Sequence, residues 1–155
     1  MLGYGNPGRQ DDGLGPAVVA ALEADDRPEV TLDADYQLNI EDAAALAEHD
    51  IVLFVDASVD APAPFALNRI AAAQEIAFTS HTLSAEAVLA MCEEHFGASP
   101  EAWVLGIRGY AFEFVEELTP EAEENCRKAI GFIRELIQRW RNGHTVPAPS
   151  RRSDG

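Results

Sequence analysis

Long apolar runs, a basic leader and closely spaced cysteines are all missing from this chain of 155 residues. No stretch approaches the ~20 consecutive apolar residues that a membrane-spanning helix needs. The first residues carry no basic region followed by an apolar one, so no secretory signal is expected. The two cysteines, Cys92 and Cys126, fall at apolar positions of expected helices and read as buried thiols of a reducing, cytoplasmic compartment. Positive charge is scarce. Eleven lysines and arginines face 27 aspartates and glutamates, for a net charge of −16 and a pI near 4.4. Such a field repels phosphate backbones and anionic membranes and favours cations and basic protein surfaces, so neither nucleic acid nor membrane is an expected partner. No G-x-S-x-G elbow is present, which removes the support for serine-hydrolase chemistry.

Glycine, by contrast, is concentrated at the start. Gly3–Gly15 reads G-Y-G-N-P-G-R-Q-D-D-G-L-G, with five glycines around two adjacent carboxylates. Two apolar residues precede it, and the amphipathic run Leu14, Val18, Ala21, Leu22 follows. The segment therefore reads as a short strand (Met1–Tyr4), a glycine-rich loop and a helix with Pro16 in its first turn, where the missing N–H costs nothing. Glycine is favoured where the backbone takes positive φ or must leave room for another group, which suggests a site rather than a connection.

Strands and helices then alternate. Val30–Asp35 is a second strand candidate interrupted by aspartates, and Ile40–His49 an alanine-rich helix. Ile51–Val55, continuous, apolar and β-branched, reads as a central strand covered on both faces, ending in Asp56-Ala57-Ser58. Phe65–Ile70 suits an edge strand, and Glu75–Thr79 another strand running into Ser80-His81-Thr82. Ser84 is the expected N-cap of a helix with Val88, Met91, Cys92 and His95 or Phe96 on one face. Ala102–Ile107 is the next strand. Thr119-Pro120 opens the longest helix, whose inner face carries Cys126, Ala129, Ile130, Ile133, Leu136, Ile137 and Trp140, and Gly143 closes it. At this length and with 47% apolar residues, residues 1–142 are expected to form a single α/β domain burying roughly 70% of the extended chain's surface. Residues 143–155 are expected to be a disordered tail. The pattern implies a three-layer α/β/α sandwich with a mainly parallel twisted sheet.

In such sheets ligands sit beyond the carboxyl ends of the strands. Asp11 and Asp12 after strand one, Asp56 after the Ile51 strand and His81 after the Glu75 strand would then meet at one edge. Each has an ordinary explanation when taken singly: helix capping for Asp11 and Asp12, a turn cap for Asp56, a hydrogen-bonded loop histidine for His81. Together, two carboxylates and one imidazole make a three-ligand site with free positions, a donor set suited to zinc or another borderline ion such as nickel. His49, His95 and His144 read as structural or solvated. Gly3, Gly5 and Gly8 also satisfy G-x-G-x-x-G, so a dinucleotide site is an alternative. Against it stand the delayed helix start, Pro7 and two carboxylates where a pyrophosphate would lie.

The residues Gly5-Asn6-Pro7, Arg9, Asp11-Asp12-Gly13 and Gly15, then Val55-Asp56-Ala57, then Ser80-His81, resemble the hydrogenase maturation endopeptidases. These enzymes trim the C-terminal extension from the large subunit of nickel–iron hydrogenases after nickel insertion. The resemblance runs from Leu2 to Trp140 and implies a phosphorylase/hydrolase-like α/β fold. It places the family's metal-contacting acids and histidine on Asp12, Asp56 and His81, with Asp12 standing where some members carry glutamate. It further implies nickel carried by the precursor, with zinc or cadmium able to substitute, the precursor as partner, and a monomeric enzyme. A non-catalytic maturation chaperone on the same fold is the other reading.

Overall fold

A computed structural model describes residues 1–73 and 83–144. The strand expected at Glu75–Thr79, the residue His81 and the tail from Val146 to Gly155 lie outside the described residues. Five strands, β1 (Leu2–Tyr4), β2 (Asp33–Asp35), β3 (Ile51–Ser58), β4 (Phe65–Ile70) and β5 (Glu101–Arg108), form one sheet in the order β2-β1-β3-β5-β4. All neighbours run parallel except β4, which pairs antiparallel with β5 at the edge. The apolar run from Ile51 does form the central strand, with Val52, Leu53, Phe54 and Val55 all buried, as a parallel strand covered on both faces must be.

The helices α1 (Leu14–Glu23), α2 (Asp42–Leu46), α3 (Ala85–Phe96) and α4 (Pro120–Arg141) divide between the two faces. Leu14, Val18 and Leu22 of α1 and Cys126, Ala129, Ile133 and Leu136 of α4 pack with Leu53, Val55, Leu105 and Ile107. Ala43 and Leu46 of α2 and Val88, Leu89 and Cys92 of α3 pack with Val52, Phe54 and Ala102, the alternate residues of the same strands. The sandwich therefore has three layers, as its alternating pattern implies. Ser84 caps α3 by accepting the Ala87 amide at 3.1 Å, and Thr119 caps α4 by accepting the Ala122 amide at 3.2 Å.

The structure departs from the sequence expectations in four places. The second strand shrinks to Asp33–Asp35, all three exposed, because the flanking edge position gives its aspartates water rather than a covering layer. The second helix is only Asp42–Leu46. His95 and Phe96 turn to solvent at the end of α3 instead of joining its apolar face. The glycine-rich loop is not irregular throughout: Pro7–Gly13 winds as a 3₁₀ segment, interrupted at Arg9 and Gln10, before α1 begins.

Candidate functional site

Two glycines fix the opening segment. Gly15 lies against the end of β1. A β-carbon there would stand 2.6 Å from the Val55 carbonyl oxygen and 2.7 Å from both the Tyr4 nitrogen and oxygen, all of them backbone atoms. Gly5 has φ +141°, a conformation that side chains rarely adopt, and its missing β-carbon leaves room for the Asp12 carbonyl. The chain thus turns sharply off β1 and brings Asp12 back over the strand end.

The two adjacent aspartates then part company. Asp11 is fully buried. Its Oδ2 accepts the Tyr110 amide at 2.7 Å, the Ala111 amide at 3.1 Å and the Thr119 hydroxyl at 2.8 Å, while Oδ1 accepts the Thr119 amide at 2.8 Å. A carboxylate has about four acceptor positions, so Asp11 is saturated by the segment between β5 and α4 and does not join an open site. Its role is to hold the 109–119 segment and the α4 N-terminus against the 3₁₀ segment. Asp12, half-buried, accepts the Asn6 amide at 2.7 Å through Oδ2, its one hydrogen bond among the described residues.

Asp56 lies near the end of β3, half-buried, with Oδ1 accepting the Ala57 amide at 2.8 Å. Burial pushes its pKa up to about 7. The Asp12 charge adds to the rise, while the Ala57 amide and the Tyr4 hydroxyl oppose it. The two carboxylates are therefore close enough to repel each other. Tyr4 is the residue that the sequence reasoning missed. The register pairs Gly3 with Val55, so one step further along both strands sets Tyr4 beside Asp56. Burial first, and then the Asp56 charge, raise the Tyr4 pKa well above that of an ordinary phenol; Glu86, in the first turn of α3, adds to it. The signal was present in sequence: an aromatic between two glycines, at the last position of a strand, just before the acids.

Among the described residues, no group of three or more His, Cys, Asp or Glu side chains is arranged to hold a metal ion. The third expected donor, His81, lies outside them. Asp12 and Asp56 nevertheless have the chemistry a dication would meet favourably: two carboxylates whose charges act on each other, one disfavoured as an anion by burial. The dinucleotide alternative fails here. The amides that would cradle a pyrophosphate are already donated, Gly5 to Asp35, Asn6 to Asp12, Gly8 to the Asn6 side chain, Arg9 to the Asn6 carbonyl, Gln10 to Val115 and Asp11 to Ala111. Cys92 and Cys126 are buried free thiols whose pKa values burial raises, that of Cys126 to about 11, so neither is an activated nucleophile. A cavity of about 350 Å³ opens between Glu29, His49, Ile51 and Trp140, at the amino ends of the strands and away from these carboxylates.

No protein-family model and no curated protein matches the chain. Solved structures do. The hydrogenase maturating endopeptidase HybD from Escherichia coli shares 23% identity at a TM-score of 0.70, over 90% of this chain and 91% of its own. The [NiFe] hydrogenase maturation protease HycI from Thermococcus kodakarensis shares 21% at 0.69, over 88% and 90%. An Escherichia coli endopeptidase solved in solution shares 24% at 0.68, over 99% and 97%. Across essentially its whole length, the chain has the fold of the hydrogenase maturation endopeptidases.

Proposed function

We propose that this protein is an endopeptidase that removes the C-terminal extension of a nickel–iron hydrogenase large-subunit precursor once nickel is in place. The observation that carries the reading is the pairing of Asp12 with Asp56 at the carboxyl edge of the sheet, on a fold shared with solved maturation endopeptidases. The precursor's nickel, held by the substrate's own ligands, is the feature read. Asp12 and Asp56 supply oxygen donors to it and His81 a nitrogen donor. Zinc or cadmium, which accept the same donors, would occupy the same place. A divalent ion there polarises a carbonyl or positions the scissile peptide.

The protein's own contribution is a carboxylate that activates the attacking water; burial raises the proton affinity of Asp56 and favours that acid for the step at which it is not bound to the ion. Tyr4, donating to Asp56, orients that carboxylate. Neither cysteine nor any serine elbow offers a covalent route, so the peptide is cut by water directly.

Singly, Asp12→Ala, Asp56→Ala and His81→Ala are expected to slow trimming of nickel-loaded precursor by about 10²-fold or more while circular dichroism stays unchanged. Mass spectrometry of the precursor reads the result, because a protease shortens it and a chaperone does not. Full trimming by all three variants would discard the site, and an intact precursor with wild-type protein would discard the protease reading in favour of the chaperone.

A further inference from the structure

Large apolar side chains left in water are unevenly distributed. Among the described residues seven are exposed; Phe96 ends α3, and the other six, Tyr36, Ile40, Val59, Tyr110, Phe114 and Val115, lie on segments that leave the carboxyl ends of β2, β3 and β5, on the edge that holds Asp12 and Asp56. Phe114 is the extreme case, at 87% exposure. Burying a phenylalanine is favourable, so a loop free to rearrange would fold it inward.

This loop is held. The Asp11 carboxylate takes the amides of Tyr110, Ala111 and Thr119. The Gln10 amide donates to the Val115 carbonyl at 2.7 Å, and the Asp11 amide to the Ala111 carbonyl at 3.0 Å. The Arg9 guanidinium donates to the Phe112 carbonyl at 3.3 Å and stacks 5.3 Å from the Phe114 ring centre. Phe114 is therefore displayed by a braced scaffold whose other strut is the segment carrying Asp12. Apart from Arg9, the charges near it in sequence are acidic. Glu113, Glu116 and Glu117 flank it in sequence and are exposed, as are Glu41 and Asp60 on the neighbouring segments. Among the described residues of these segments Arg9 is the exposed base, and it is already engaged.

We propose that Phe114 and Val115, ringed by Glu113, Glu116 and Glu117, form a preorganised docking knob for the folded body of the substrate protein, separate from the segment cleaved at Asp12 and Asp56. The inference rests on the function proposed above and names its recognition surface. The matching face is an apolar cup rimmed by lysine and arginine. A second copy of this chain is a poor occupant, since each copy carries −16 and the two acidic rims would face each other. A rigid aromatic anchor within a charged rim is the arrangement that concentrates binding energy in few residues and steers encounter by charge.

The test measures binding and trimming separately, with nickel-loaded precursor as probe and three proteins: wild type, Phe114→Ser, and the triple variant Glu113→Lys/Glu116→Lys/Glu117→Lys. Phe114→Ser is expected to weaken the Kd by about tenfold or more, a loss of ~1.4 kcal/mol, and to raise KM rather than lower kcat, with an unchanged melting temperature because the ring touches little of the core. The triple variant is expected to bind more weakly and to lose the weakening by salt that the wild type shows. Wild-type-like Kd and KM for Phe114→Ser would overturn the proposal, as would a wild-type dimer that Phe114→Ser dissolves, or no binding of precursor by the wild type. Wild-type protein that binds through Phe114 but leaves the precursor uncut supports the knob and refutes the endopeptidase reading.

Discussion

Removing the Asp11 side chain tests the architecture of the opening segment more sharply than any change at the exposed acids. Asp11→Ala strips one acceptor group from three backbone amides and a hydroxyl, at a position with no solvent exposure. Each buried amide left without a partner costs ~1–3 kcal/mol. The Thr119 hydroxyl can rotate to another acceptor and adds little. Because the 109–119 segment is itself exposed along Glu113–Glu117, part of the penalty is relieved by local opening toward water, and the net loss is expected at ~4 kcal/mol. For a chain of this size that is a fall in Tm of roughly 8–16 °C.

Asp11→Asn separates hydrogen bonding from packing. Turned so that its oxygen takes the Oδ2 position, asparagine still accepts from Tyr110, Ala111 and the Thr119 hydroxyl, but its amide then opposes the Thr119 N–H. One contact is lost instead of four, so the cost is expected at about half that of alanine. Urea unfolding followed by the fluorescence of Trp103 and Trp140 measures both losses. Native-state hydrogen exchange at Tyr110, Ala111 and Thr119 should show the faster opening locally. An alanine variant within ~1 kcal/mol of wild type, or an asparagine variant as damaging as alanine, would refute the assignment of Asp11 as the brace of this loop.

Two further changes probe the site from other directions. Asp56 has a folded-state pKa near 7 against an ordinary 3.8, so the folded state holds a proton that the unfolded chain gives up, and stability falls as pH rises from about 4 to 7. The full difference is worth up to ~4 kcal/mol by pH 8, which solvent access to a half-buried group reduces to ~1–3 kcal/mol. Asp56→Asn should therefore stabilise the protein at pH 8 and have little effect at pH 4, as read by denaturant melts at both values; equal stability at pH 8 would contradict the burial argument. Gly15→Ala places a methyl group against the Val55 and Tyr4 backbone, where nothing flexible can yield, and is expected to cost ~2–3 kcal/mol or more. A thermal melt unchanged by this substitution would show that β1 and α1 do not approach as closely as the structure has them.

Much of this fold was legible because local chemistry and tertiary position agree. The β-branched run Ile51–Val55 could only be a covered strand, and Ser84 and Thr119 announce their helices through caps that the structure contains. Where the residues alone did not decide, the deciding contact lay far away in sequence, and only the family resemblance singled out Asp12. Asp11 and Asp12 are indistinguishable as neighbours before a helix. What separates them is the 109–119 segment, about a hundred residues further on, whose amides claim one carboxylate and leave the other. The 3₁₀ winding of Pro7–Gly13 has the same origin, since its bend at Gln10, with φ 52°, is stabilised by the Gln10 amide reaching Val115. Tyr4 was recoverable. Strand alternation sends Leu2 and Tyr4 to the face that Phe54 and Asp56 share, and only the pairing of β1 with β3 was needed to see it.

Asp11 also ties together the two activities proposed for this edge. Its backbone neighbour Asp12 belongs to the proposed cutting site, while its carboxylate fixes the loop that displays Phe114. Loss of Asp12 should therefore abolish cutting without weakening precursor binding through the knob. Loss of Phe114 should weaken binding without altering the chemistry. Loss of Asp11, which touches neither substrate surface, should do both at once, because a loosened 109–119 segment releases the aromatic anchor and unsettles the turn that carries Asp12. Two sites on independent supports would not respond together to one buried carboxylate; two ends of one braced element must.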